Sequence, residues 1–320
     1  MLISASPFTS EDWLLHELTH HNVKVNRTSF LKESRELVFA ALDAVLDLAV
    51  SIPQEDPLAF ASYAAFVLFP RLILRSLPPG CNGKHAAQAF ARRCGLLLEG
   101  QVDTLIKEAH DSQVTRVACR VHALTQPSQS FPLTARAAAL AGCGAVGKAC
   151  KLAFSYGTES DPDVARTFLA KLTRTTPHTH VPMPPASYKT AHLPIPIKAV
   201  TDAFTGMPKK SAPHRDGWTW ELFKDMAGRP KTCELLRAFA ELFANGKLPK
   251  PLWKFLSSAI MIPFHKLALI ERDLLKDPRL RPITIGALLC RFSVRTVLRM
   301  KRKGIADRML RDNQISYGIP

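Results

Sequence analysis

Residues 257–302 read SSAIMIPFHKLALIERDLLKDPRLRPITIGALLCRFSVRTVLRMKR, and this stretch decides what kind of fold the chain builds. Two short runs in it, Ser257–His265 and Leu280–Gly286, are rich in β-branched residues and bounded by turn or charged residues, as short strands are. From about Ala287 to Arg302 the spacing becomes helical, with Leu288, Leu289 and Phe292 as packing surface. On that helix Arg291, Arg295, Arg299 and Arg302 follow a +4, +4, +3 spacing and line one face. Four like charges along a stripe repel, so the face costs stability unless counter-charge arrives. Phosphates would supply it, as would acids from elsewhere in the fold.

Working outward, the preceding segments read as helices. Ile197–Phe204 and Thr219–Ala227 are short, and Pro230–Asn245 is longer and stops at Asn245-Gly246, both of which tolerate left-handed backbone. Before them Pro177, Pro182, Pro184, Pro185, Pro194 and Pro196 crowd one stretch. Proline at that density favours extended, semi-rigid chain and suggests a domain boundary near residue 180. The first 175 residues are again helical in pattern. Glu33–Val50 puts Leu37, Val38, Ala41, Leu42, Val45, Leu46 and Ala49 on one stripe, and Leu58–Leu77, Lys84–His110 and Asp163–Leu172 look similar. Asp161-Pro162-Asp163 is a plausible helix start. The expected fold class is mainly α with a small β component.

Composition excludes several classes. With 47% hydrophobic and 22% charged residues over 320 positions, the chain is globular rather than disordered or collagen-like. The longest apolar stretch, Leu58–Phe69, stops at Pro70-Arg71, short of the roughly 20 residues that span a bilayer. The start, MLISASPFTSEDW, lacks the basic and apolar regions of a signal peptide. Seven scattered cysteines suggest reduced thiols and an intracellular protein of nucleus or cytoplasm, with no membrane partner. Charge says more. Residues 1–186 hold 18 Lys+Arg against 16 Asp+Glu, whereas residues 187–320 hold 25 against 11. From Arg279 to Arg311 there are ten cations and one acid, Asp307. So uneven a field implies a polyanionic partner, RNA or DNA in the simplest case.

Other motifs carry less. Gly142-Cys143-Gly144-Ala145-Val146-Gly147-Lys148 imitates a phosphate-binding loop. Yet it follows an alanine-rich helix former rather than a strand, and Ala149 stands where a magnesium-binding hydroxyl is needed. A glycine-rich turn between helices accounts for it. Cys81, His85 and Cys94 lack a fourth ligand at zinc-finger spacing. No serine sits in a Gly-x-Ser-x-Gly turn.

The C-terminal segments, in order, resemble the reverse transcriptase domains of non-LTR, LINE-like retrotransposons. Ser211-Ala212-Pro213-His214-Arg215-Asp216-Gly217-Trp218 is similar to that family's opening motif, although His214-Arg215 replaces its Gly-Pro. Asn245-Gly246-Lys247-Leu248-Pro249, Ile262-Pro263-Phe264-His265-Lys266 and Asp277-Pro278-Arg279-Leu280-Arg281-Pro282-Ile283 follow, then Gln314 with Tyr317-Gly318. The resemblance covers about residues 195–320, and more loosely 65–320.

The expected organisation is a helical N-terminal region over 1–176 and a proline-rich linker over 177–196, and the resemblance implies a partial fingers region over 197–320. In the family a lysine and an arginine on paired strands contact the incoming nucleoside triphosphate, and Lys266 and Arg281 occupy the matching positions. An ammonium is a point charge and a guanidinium a fork for phosphate oxygens, which suits both tasks. Asp216-Gly217 is expected to set a turn. The family's metal-binding carboxylates belong to palm motifs, including an Asp-Asp pair, and no Asp-Asp occurs here. The expectation is therefore a retroelement polymerase fragment that is inactive alone, with Mg2+ a cofactor only of a full-length relative. Two alternatives stand beside it: a non-catalytic nucleic-acid-binding protein, and a helical protein-interaction module whose protein partners are unspecified.

Overall fold

The computed structural model describes residues 25, 34–53, 56–75, 77, 83–111, 161–173, 192–205, 214–265 and 280–311. The elements are helices α1 (Arg35–Ser51), α2 (Pro57–Leu72), α3 (Gly83–Leu98), α4 (102–111), α5 (Pro162–Thr173), α6 (Ile197–Ala203), α7 (Trp220–Met226), α8 (Pro230–Ala244), α9 (Lys250–Ser257), strands β1 (Ala259–His265) and β2 (Leu280–Gly286), and α10 (Leu288–Arg311). The protein is mainly helical, and β1 and β2 pair antiparallel. The chain divides into two units: α1–α4 with α6–α9 and α10 form one, and α5 with the strands forms the other.

Local chemistry explains most boundaries. Asp161 Oδ1 accepts from the N–H groups of Asp163 and Val164 at 2.8 and 3.3 Å, satisfying donors that begin α5. Thr219 Oγ1 accepts from Leu222 N–H and opens α7. Pro230 starts α8, where its missing N–H costs nothing. At the other end of α8 it is Gly246, at φ +66°, that turns left-handed, while Lys247 N–H reaches back to Leu242 O at 2.9 Å. The expected helix Lys84–His110 is two helices. Gly100, at φ +79°, ends α3 with Gln101 N–H on Leu96 O at 2.8 Å, and α4 starts afresh. Helix α2 ends at Leu72, short of the expected Leu77, with Pro70 in its last turn. The last helix runs beyond the expected Arg302, to Arg311.

In the helical unit one aromatic core joins elements from far apart in sequence. Phe66 of α2 lies 5.5 Å from Trp218 and 5.6 Å from Phe239 of α8. Trp218 meets Phe223 at 5.2 Å, and Phe223 meets Phe292 of α10 at the same distance. Helix α1 buries Val38, Phe39, Ala41, Leu42, Val45, Leu46 and Ala49, whereas Leu37, expected on that stripe, faces outward. Buried Asp43 accepts Thr232 O–H at 2.6 Å, tying α1 to α8. Helices from before residue 112 and from after residue 192 thus share this core. The proposed boundary near residue 180 and the glycine-rich 142–148 segment lie outside the described residues.

In the second unit α5 packs on β1. Ile260, Ile262 and Ile285 are half-buried and Ile283 is 38% exposed, so none of the four strand isoleucines is fully covered. No described helix is long and apolar enough to cross a membrane.

Candidate nucleic-acid interface

The sequence points to two sets of cations, and each is built on its own element. Arg281 is exposed near the start of β2. Lys266 follows directly on β1 and lies outside the described residues, as do Gln314, Tyr317 and Gly318.

The arginine row sits on α10. Leu288, Leu289, Phe292, Ser293 and Thr296 form the buried face of that helix, and Val294, Leu298 and Lys301 the exposed one. Arg291, Arg295 and Arg299 fall between the two and are half-buried. The helical spacing was legible, but the row borders the core instead of standing clear in solvent. The side chain of Arg302 lies outside the described residues.

Arg291 is engaged inside the protein. Its guanidinium lies over the Trp220 ring, 5.6 Å from the centroid, as a cation–π pair does. Burial pulls its pKa below the ordinary arginine value, and the charge of Asp216 acts in the opposite direction. Arg295 donates through Nη2 to the carbonyl of Thr205, just past α6, so it ties α10 to that short helix. Burial also lowers the Arg295 pKa, followed by repulsion from Arg299. Among the described residues Arg299 makes no such bond, and Lys301, two positions on, belongs to the exposed face.

Asp216 belongs to the turn that the Asp-Gly pair announces. Gly217 N–H donates to His214 O at 3.0 Å, and Gly217 sits at φ +84°. Asp216 is fully buried, and its Oδ1 accepts Trp218 N–H at 3.0 Å. Its Oδ2 is 3.9 Å from His214 Nδ1, too far for a hydrogen bond. Asp216 Oδ2, His214 Nδ1, the Trp218 and Trp220 indole N–H groups, and Arg291 Nε and Nη2 are all buried and make no hydrogen bond within the described protein. Polar atoms buried without hydrogen bonds cost stability, so this turn is held by the packing around it. The charge of Asp216 acts on the Arg291 guanidinium, which is packed on the Trp220 indole.

Two further polar clusters escaped the sequence. Arg75 donates to Leu72 O at 3.2 Å, Leu105 O at 3.0 Å and the carboxylate of Glu108, while Arg93 donates to Ile73 O and Arg75 O, each at 3.0 Å. Glu241 and Asn245 of α8 grip residues 192–195. Only the Asn-Gly pair gave any signal, and it reads as a helix stop. Burial pushes the Cys94 thiol up to about 12, so this cysteine is core and no nucleophile. Among the described residues no group of three His, Cys, Asp or Glu side chains is arranged to hold a metal ion. Comparison with protein-family models, curated proteins and solved structures finds no match to this chain.

Proposed function

We propose that this chain is a fingers-bearing segment of a retroelement reverse transcriptase, binding nucleic acid through its basic C-terminal part without performing nucleotidyl transfer by itself. The observation that carries the proposal is one of order. The His214–Trp218 turn, the Asn245–Pro249 helix stop, a strand pair with Arg281 exposed on its second strand, and a cationic helix follow one another as the family's blocks do. The imbalance of 25 cations to 11 acids over residues 187–320 supports a polyanionic partner. The lack of any Asp-Asp pair in the sequence supports binding without catalysis.

Arg291 and Arg295 are bound up with Trp220 and Thr205. Phosphate contact therefore falls chiefly to Arg299 and Lys301 on α10, and triphosphate contact to Arg281 with Lys266. Each phosphate neutralised should steepen the salt dependence of binding by roughly 0.7 to 0.9 log units per log unit of salt.

The test is fluorescence anisotropy with labelled RNA and DNA over a salt series. The double variant Arg299→Glu, Lys301→Glu should weaken binding and flatten the slope by about two contacts. Unchanged affinity and slope would remove the electrostatic basis of the proposal. In parallel, the full chain is given primer, template, nucleotides and magnesium. Extended product would overturn the non-catalytic half of it.

A further inference from the structure

Arg237 and Glu241 of helix α8 and its C-cap Asn245 follow one another at four-residue spacing. Opposite them runs the extended segment His192-Leu193-Pro194-Ile195-Pro196. The side-chain amide of Asn245 accepts Leu193 N–H at 2.8 Å and donates to Leu193 O at 3.0 Å, pairing with the peptide as a neighbouring strand would. Glu241 Oε2 accepts Ile195 N–H at 3.0 Å, and Oε1 meets His192 Nε2 at 3.0 Å. Since Leu193 meets Asn245 and Ile195 meets Glu241, the segment runs counter to the helix. The receiving groups are themselves held: Arg237 donates to Glu241 at 2.9 Å, and Asn245 donates to Glu241 O at 2.8 Å.

The sequence of the segment fits this arrangement. Pro194 and Pro196 have no N–H, so Leu193 and Ile195 carry the donors between them, and both are taken. Side chains alternate too: Ile195 is buried, while Pro194 and Pro196 are exposed. Proteins that bind extended peptides work in this way, with main-chain hydrogen bonds for hold and a pocket for alternate side chains.

We propose that this face of α8 is a backbone-reading site for an extended apolar–proline segment, filled in cis by residues 192–196, which act as a releasable strap. Two features make release separable from unfolding. The hydrogen bonds are only part-buried, and Ile195 is the one deeply covered side chain. The strap also ends the proline-dense stretch that begins at Pro177. Letting go of α8 would free five residues, about 15 Å of extended chain at roughly 3.1 Å per residue. This goes beyond the proposed nucleic-acid function and does not depend on it.

Amide hydrogen exchange on the full chain tests the strap. In the unaltered protein the Leu193 and Ile195 amides should exchange at least tenfold slower than free chain. They should also exchange at least tenfold faster than Phe239 in the buried face of α8. Exchange in step with Phe239 would make the segment ordinary core, and free-chain rates would mean there is no clamp; either result overturns the proposal. Asn245→Ala should speed Leu193 about tenfold and leave Phe239 unchanged. An unaltered Leu193 rate in that variant would likewise sink it.

Discussion

Gly217 shows how little room a single residue has at the His214–Trp218 turn. Its φ of +84° is a left-handed conformation that side chains resist, and a Cβ there would stand 2.6 Å from Val25 Cγ2. Gly246 has a similar φ, +66°, but a Cβ would meet nothing within 4 Å. Gly217→Ala should therefore cost about 3 kcal/mol and Gly246→Ala about 1 kcal/mol, read as a difference in urea midpoints. Equal costs would show that backbone strain alone decides and that the Val25 contact relaxes. The Asp-Gly pair made the turn legible in the sequence. That Asp216 would be wholly buried, with its charge acting on Arg291, was not legible, because the two are far apart in sequence. The arginine row illustrates the same limit. A spacing of three and four names a helix face, but it does not say that Trp220 and Thr205 will occupy two of its members.

At the scale of elements, buried arginines do what the short connections cannot. Arg75, just past α2, serves Leu72 O, Leu105 O of α4 and Glu108 at once with its fork. Arg92 donates to the same carboxylate at 2.6 Å from the face of α3. Lysine has the charge but no planar fork, so Arg75→Lys should leave a buried carbonyl unpaired and destabilise the helical unit by about 2–3 kcal/mol. A thermal melt that matches the unaltered protein would show that Arg93 and Arg92 suffice. Most helices were legible because their apolar residues recur at helical spacing. Where the reading failed, a local backbone feature overrode periodicity: Gly100 breaks Lys84–His110 into two helices even though apolar residues continue on both sides. The strands were legible from their β-branched runs between turn or charged residues, which suit a half-covered ribbon.

For the whole molecule, acid is the most direct probe of these ties. Burial pushes the Glu108 carboxyl up, but hydrogen bonds and charge from Arg92 and Arg75 outweigh it and hold the pKa below the ordinary value of 4.5. Glu241 behaves alike, with burial opposed by Ile195 N–H, His192 and Arg237. A carboxylate depressed in the folded state stabilises at pH above its unfolded value, and that contribution is lost as pH falls through the folded value. Urea midpoints should thus hold steady from pH 7 to about 5 and then drop, and Glu108→Gln should make the drop shallower. A profile that Glu108→Gln leaves unchanged would assign acid sensitivity to other carboxylates. By itself the sequence determined the helices and strands and the crowding of positive charge toward its end, because periodicity, propensity and charge are properties of neighbours along a chain. Tertiary structure alone decided that Asp43 would meet Thr232, 189 positions away, and which arginines would be left to face solvent. Those outcomes depend on how faces pair in space, and a one-dimensional pattern specifies a face without naming its partner.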